Sequence, residues 1–368
     1  MKTKGVAILY LSVGSGHQVA AEALASSISH THPELPMIVE DPFTNKIDIL
    51  PSVFSALQTV SINLAPNLYD LAWRHKSNYD IYQWLEGINL LQEFLIERLS
   101  KNSVDVIIAT HVLPSILGVG LKKRNLINNV YSVITDFGVH SYWPTSGIDN
   151  YFVANNELKN VLEYRGVDES AIEVTGIPIK ESFLPENFIK PVGKKIKLLL
   201  IAGGLRSGGY ANNRRYFQDL FKELDQIDCD KLEFTIVTGL QKQLKKELVQ
   251  IQHDTKIKIR VVGYIEEMQK LLASQDVLIT KPGGLIIAEA LAIGSCIVLS
   301  KSGAGQENAN SEFLIRHGLA LRGETPDQIV EIIKKIVSNP KLITDMKMRA
   351  KRFGLPKSAQ SIVDKIFG

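Results

Sequence analysis

The feature that most limits what this chain can become is a recurring break. Short apolar runs, too brief for buried helices, stop abruptly and give way to helical stretches. In the first half the runs are Val6–Leu11, Pro36–Glu40, Val104–Thr110, Asn129–Thr135, Asn150–Ala154 and Ile172–Val174. "FLPENFIKPVGKK" (Phe183–Lys195) holds two prolines and no apolar period, and it reads as a linker. The pattern then restarts with Ile196–Gly204, Glu233–Gly239, Ile257–Tyr264, Asp276–Thr280 and Cys296–Ser300. Helices fill the gaps, Asp327–Ser338 among them. Alternation of this kind belongs to a parallel sheet covered by helices on both faces. At 368 residues the chain is longer than one core usually serves. The expected fold class is therefore α/β, as two tandem Rossmann-like doubly wound domains spanning 1–185 and 196–356, with a linker at 186–195. Binding loops belong at the carboxyl ends of the strands, and the two domains are expected to face a cleft that takes the substrate.

Composition excludes several classes. Apolar residues make up 45% and charged residues 22%, an ordinary globular balance. Two cysteines, Cys229 and Cys296, lie far apart, which argues against a disulfide framework or a cysteine-rich metal site. "MKTKGVAILYLSVG" has a basic start but only a brief apolar stretch that runs straight into a glycine turn, so it reads as a first strand and not a signal peptide. No apolar run reaches the ~18 residues of a membrane span. The longest candidate, Val104–Leu121, is interrupted by Asp105, His111 and Pro114.

Charge is unevenly shared. Residues 1–185 hold 13 Lys and Arg against 19 Asp and Glu, a balance of −6. Residues 186–368 hold the remaining 29 against 20, a balance of +9. A basic half suits an anionic small ligand, although solvated lysine-rich helices account for most of the excess. All three tryptophans fall in the acidic half. Segment 51–100 breaks the strand–helix alternation and is crowded with aromatic residues. Helices packed on the sheet explain Ile88–Leu99. Trp73, Tyr79, Tyr82 and Trp84 read equally as an interfacial cluster at a membrane surface or lipid mouth.

Two strand ends carry the chemistry. "SVGSGHQVAAEAL" (Ser12–Leu24) follows the first strand, and Gly14 and Gly16 let a ligand approach a helix start with free N–H groups. As a dinucleotide fingerprint it is incomplete: Val19 holds the third glycine position, although Glu40 and Asp41 lie at a plausible ribose distance. His17 at the helix start is kept neutral by the positive dipole end, as a general base requires. The plainer alternative is a histidine that merely caps the turn. In the second half, "TKPGGLIIAEAL" (Thr280–Leu291) is a strand, then Pro282-Gly283-Gly284, then a helix carrying Glu289. The glycines offer N–H donors to a diphosphate. Glu289 stands among apolar neighbours and demands a partner, for which ribose hydroxyls are the natural choice. Gln306, Glu307 and Asn310 in "GAGQENANSEFL" offer polar groups to sugar hydroxyls. Gly203 and Gly204 in "AGGLRSGG" mark another glycine-rich strand end, with Arg206 as a nearby cation. "VVGYIEEM" offers backbone groups to a base edge. "DCD" (Asp228–Asp230) imitates an Asp-X-Asp metal motif but lies in a polar turn.

These blocks together resemble glycosyltransferase family 28, in its branch of monogalactosyldiacylglycerol synthases and diacylglycerol glucosyltransferases. The resemblance rests on "GSGHQVAAEAL", "VITDFGVHSYW", "TGIPI", "IAGG", "GYIEEMQKLLASQDVLITKPGGLIIAEAL" and "GQENAN", in that order. It implies a GT-B fold, with an N-terminal domain for a lipid acceptor and a C-terminal domain for a UDP-sugar. It implies a final helix, 357–368, packing back on the first domain. It also implies inversion at the anomeric carbon, with no metal and no cofactor. By the same resemblance His17 is the base, Gly283 and Gly284 hold diphosphate, Glu289 holds ribose, Gln306 the sugar, and Tyr264 with Ile265 the uracil. Asp136 and His140 match a family block, where they either orient the acceptor or compete with His17 as base. The expected partners are a UDP-sugar, glucose or galactose, and a lipid, diacylglycerol foremost, met peripherally at the cytoplasmic face of a membrane. No nucleic-acid partner is expected, and no oligomeric state is assigned. The alternatives are N-acetylglucosamine transfer to an undecaprenyl-linked precursor, and a UDP-sugar epimerase or sensor of the same architecture.

Overall fold

The computed structural model describes residues 4–12, 15–43, 89–184, 193–203, 214–301 and 305–368. The aromatic candidates Trp73, Tyr79, Tyr82 and Trp84 lie outside the described residues. In chain order the first elements are β1 (Val6–Leu9), α1 (Gly16–Thr31), β2 (Met37–Glu40), α2 (Asn89–Lys101), β3 (Val106–Ala109) and α3 (Val112–Lys123). There follow β4 (Asn129–Val133), β5 (Asn150–Val153), α4 (Asn156–Tyr164) and β6 (Ile172–Val174). The second series runs β7 (Ile196–Ile201), α5 (Arg214–Leu224), β8 (Leu232–Val237), α6 (Lys242–Ile251), β9 (Ile259–Val262) and α7 (Met268–Ser274). It continues with β10 (Val277–Thr280), α8 (Gly284–Ile293), β11 (Cys296–Leu299), α9 (Gln306–Arg316), β12 (Ala320–Arg322), α10 (Pro326–Ser338) and α11 (Lys341–Phe353), and the chain ends in α12 (Ser358–Phe367). The chain divides into two compact units. One comprises Met1–Glu181, Gly303–Ala309 and Lys357–Gly368; the other comprises Ser182–Ser302 and Asn310–Pro356.

The first unit is built on a parallel sheet of order β2-β1-β3-β4-β5-β6 among the described residues. Why its strands are apolar throughout follows from the two cores they face. Val6 and Ile8 of β1 pack, with Val106 and Ile108 of β3, against Ala21, Leu24 and Ile28 of α1 and Ile362 and Val363 of α12. Ala7 and Leu9, with Ile107 and Ala109, face the other way, onto Leu91, Leu95 and Leu99 of α2 and Leu113 and Leu117 of α3. Successive residues of one strand thus enter opposite cores, the period of two that a pleated strand imposes.

The second unit repeats the plan with order β12-β11-β10-β7-β8-β9, again parallel. Leu198 and Leu200 of β7 pack on Phe217, Leu220 and Phe221 of α5 and Ile329 and Ile333 of α10. α8 ends at Gly294, whose φ of +79° places it in the left-handed region, and its N–H returns to the carbonyls of Ala290 and Leu291. The sequence pattern did not anticipate β12, whose Ala320-Leu321-Arg322 holds no β-branched residue, unlike the equally short β6 with Ile172 and Val174. Among the described residues no helix is long and apolar enough to cross a membrane.

In each sheet the chain leaves its first strand in two directions. From β1 it goes to β2 on one side and β3 on the other; from β7 it goes to β8 and, later, to β10. Helices after neighbouring strands then lie on opposite faces, and a crevice opens at the carboxyl ends where the order reverses. His17 follows β1 and Gly283 follows β10, so each falls at the crevice of its own unit.

α12 belongs to the first unit by contact. Ser358 Oγ donates to the Ile177 carbonyl at 2.7 Å and accepts from the Ile179 N–H at 3.3 Å, with the serine fully buried. Ser27 Oγ donates to Gln360 at 3.0 Å, and Lys365 pairs with Glu173 at 2.5 Å. Ser358→Ala strands two buried backbone groups at once. It is expected to cost about 1–3 kcal/mol, read as a lowered denaturation midpoint; an unchanged midpoint would show the serine to be dispensable.

Candidate active site

The loop after β1 is held from beneath by Asp41. One carboxylate oxygen accepts from the Ser12 N–H at 2.7 Å and the other from the Phe43 N–H at 3.0 Å. Glu40 pairs with Arg98 at 3.3 Å. Asp41, a candidate ribose ligand in the sequence, is therefore spent on the fold, whereas Glu40 engages Arg98 through Oε2 alone and its buried Oε1 has no hydrogen-bond partner among the described residues. The dinucleotide reading of this loop is corrected accordingly. Gly14 lies outside the described residues, and Gly16 opens α1 after the N-cap Ser15, which makes no side-chain cap bond.

His17, the second residue of α1, crosses the crevice to the end of β3. Its Nδ1 lies 2.8 Å from the Thr110 carbonyl, and the Thr110 hydroxyl donates back to the His17 carbonyl at 2.9 Å. The Thr135 hydroxyl, beyond the end of β4, lies 2.9 Å from the same Nδ1. A carbonyl can only accept, which assigns the proton to Nδ1 and leaves a lone pair on Nε2. Burial lowers the pKa of this imidazole below 6.5, against the raising effect of the Thr110 hydrogen bond. The sequence reading credited the helix dipole with keeping it neutral; burial is the larger cause.

Two further imidazoles share this end of the sheet. His140, expected at the acceptor side, accepts the Tyr142 N–H on Nδ1 at 3.1 Å and lies near-parallel to Trp143. Arg165 donates to its carbonyl at 2.8 Å. Burial first, then Arg165 and His17, push its pKa down to about 3. His111 was missed. It caps α3, its Nδ1 accepting from the Leu113 N–H at 3.1 Å, and its ring stands edge-on to His17 with centroids 4.8 Å apart. Burial, then the charges of His17 and His140, hold its pKa well below 6.5. A signal was present: "IIATHVLPS" repeats the strand–polar–helix break that drew attention to His17. Asp136 follows Thr135 and is half-buried.

In the second unit, α8 begins on Gly283, an N-cap in extended backbone (φ −71°, ψ 136°) with no side chain to fill the helix end. The leading N–H groups of α8, beginning at Gly284, lack intrahelical acceptors and carry the helix's positive pole. Asn310, fully buried, donates to the Pro282 carbonyl at 2.9 Å. Expected to meet sugar hydroxyls, it spends that amide on holding the loop in place. Glu289 is 7% exposed in the second turn of α8. Gly203, just past β7, admits nothing larger: a Cβ there would overlap the Gln241 side chain and lie 2.6 Å from the Thr238 carbonyl. Gln306 and Glu307 open α9 half-buried. Tyr264 is 53% exposed and Ile265 half-buried, both after the edge strand β9. Gly204 and Arg206 lie outside the described residues.

Comparison with known proteins agrees with this division. The family described as Monogalactosyldiacylglycerol (MGDG) synthase matches residues 17–179, and that described as Glycosyl transferases group 1 matches residues 209–353. The chain is 30% identical over 380 residues to a processive diacylglycerol beta-glucosyltransferase of Bacillus cereus, covering 100% of this chain and 94% of the relative. It is 27% identical over 379 residues to the protein of that name from Bacillus subtilis, covering 99% and 94%. In fold it is similar to the crystal structure of Acinetobacter baumannii MurG, with a TM-score of 0.63 at 15% identity and 99% of each chain covered.

Three imidazoles with lowered pKa values make the first unit acid-sensitive. Below pH 6.5 the unfolded chain takes up protons that the native cluster refuses, so stability falls as pH drops. The decline begins near 6.5 and, for His140, continues toward about 3. Melting temperatures measured from pH 7.5 to 4.5 are expected to fall, and His140→Gln to flatten that slope; an unchanged slope in the variant would remove His140 from the account.

Proposed function

The chain belongs to glycosyltransferase family 28, in the branch of monogalactosyldiacylglycerol synthases and processive diacylglycerol glucosyltransferases, and from that footing we propose that it transfers a hexose from a UDP-sugar to the free hydroxyl of diacylglycerol. Glucose is the favoured hexose, since the relatives compared above are named beta-glucosyltransferases. The observation that carries the reading is the fixed tautomer of His17: Nδ1–H bound to the Thr110 carbonyl, Nε2 left as a base.

In the proposed reaction His17 Nε2 takes the proton of the acceptor hydroxyl as its oxygen attacks the anomeric carbon. The bond from that carbon to the diphosphate oxygen breaks, and the electron pair leaves with UDP. Attack opposite an α-linked leaving group gives a β-glycoside, that is, inversion. Charge developing on the diphosphate is met by the N–H groups at Gly284 and the start of α8, with Arg206 as a supporting cation, while the Gly283 N–H, donated to the Lys281 carbonyl at 2.8 Å, fixes the turn before the helix. Glu289 takes the ribose hydroxyls, Tyr264 and Ile265 the uracil, and Gln306 and Glu307 the sugar. The β7 end, where Gly203 lets Gln241 and the Thr238 carbonyl pack close and Gly204 follows in sequence, belongs to the donor side. Asp136 and His140 lie on the acceptor side, where Gly14 and Gly16 admit the lipid's polar end. The enzyme works peripherally, at the cytoplasmic face of the membrane.

Purified protein incubated with diacylglycerol and labelled UDP-glucose, UDP-galactose or UDP-N-acetylglucosamine tests this directly. Glycolipid from UDP-glucose is the expected product; free sugar without lipid product would favour an epimerase and overturn the reading. His17→Ala is expected to lower kcat by about 10²–10⁴-fold while leaving UDP affinity intact. Because the base must be unprotonated and its pKa is lowered from 6.5, kcat/KM is expected to stay level through neutral pH and to fall only on an acid limb centred below 6.5. A limb centred above that value would assign the base elsewhere.

A further inference from the structure

His111 offers something that the reaction above does not use. It stands at the end of β3 and is half-buried. Its Nδ1 accepts the Leu113 N–H at 3.1 Å, and a nitrogen that accepts carries no proton. Burial and the neighbouring imidazoles keep the ring neutral. Its one proton therefore sits on Nε2. His17 is the reverse case, with Nδ1–H spent on Thr110 and a bare Nε2. The two rings stand at 88° with centroids 4.8 Å apart. One thus presents a fixed acceptor and its neighbour a fixed donor, each tautomer locked by a backbone group. A base needs only the first.

We propose that His111 is a specificity-determining residue for the lipid acceptor: its Nε2–H donates to an acyl ester carbonyl while the hydroxyl of the same glycerol unit lies on His17 Nε2. The inference rests on the diacylglycerol reading and adds to it the part of the lipid that is recognised. Glycerol carrying two acyl esters sets a hydroxyl, which must donate to the base, beside a carbonyl, which can only accept. The matching surface is an acceptor and a donor on rings whose centroids lie 4.8 Å apart, with their roles not interchangeable. Water or a sugar hydroxyl, each able to donate and accept, makes no such demand. A neutral donor also meets a carbonyl without placing a second positive charge beside the base as it gains its proton.

An ether-linked 1,2-dialkylglycerol keeps the hydroxyl and chains of diacylglycerol and lacks the carbonyls. The wild-type enzyme is expected to prefer the diester by about tenfold in kcat/KM, the size of one neutral hydrogen bond. His111→Ser keeps an oxygen able to cap Leu113 but cannot reach as the imidazole does, and it is expected to bring the diester-to-diether ratio near one. A wild-type enzyme that uses both lipids equally overturns the proposal, whether or not the variant folds. So does a variant that loses rate on both lipids alike with the ratio unchanged, since His111 would then act only through His17 or the fold. Transfer to neither lipid, with UDP-glucose still bound, overturns the acceptor reading itself and is told apart by that loss.

Discussion

One hydrogen bond crosses the first crevice, and the chemistry proposed for this chain hangs from it. His17 belongs to the helix after β1, and Thr110 to the end of β3, the strand on the other side of the reversal. The bond is possible because a parallel sheet whose chain departs in both directions brings the ends of those two strands side by side, with their helices drawn apart. It closes twice, from imidazole to carbonyl and from threonine hydroxyl back to the histidine carbonyl. A carboxylate commonly orients a catalytic histidine and stabilises the charge it acquires. Here a neutral carbonyl and the Thr135 hydroxyl do the orienting, which fixes the tautomer while adding no charge.

Neutrality of the cluster has its own consequence. Burial suppresses protonation of His17, His111 and His140 together, and each would be harder to protonate with a neighbour charged. The rings are thereby ready as bases or donors across the neutral range. The stability of the unit at low pH is what this arrangement costs. The second unit works by the opposite means: its candidate anion site is bare backbone, an N-cap glycine with no side chain over the helix end, held from behind by Asn310. Asp41 and Asn310 are counterparts, each a buried polar side chain whose hydrogen bonds hold the loop at a strand end.

Much of this was legible in the residues. The apolar runs ending at Leu11, Thr110, Gly204 and Thr280 located strands that the sheets contain, because burial on both faces writes a continuous apolar signal. β12 escaped because Ala320–Arg322 lacks the β-branched residues that mark the equally short β6. His17, Gly283 and Glu289 were visible as polar or glycine interruptions in apolar surroundings. His111 stands at a strand–polar–helix break of the same kind, but its pairing with a ring 94 positions earlier in sequence is recorded by no local pattern. Glu40 and Asp41 misled for the same reason. Their spacing suited a ribose, yet both oxygens of Asp41 are claimed by Ser12 and Phe43, and one of Glu40 by Arg98.

The sequence by itself determined the class of fold, the alternation of strand and helix, and the family to which the chain belongs, because these follow from local periodicity and from short blocks in fixed order. Only the tertiary structure decided which nitrogen of each imidazole bears the proton, which polar side chains are spent on loops, and which histidine stands beside His17. Those properties depend on partners far apart along the chain, and sheet order, which no local pattern records, is what brings them together.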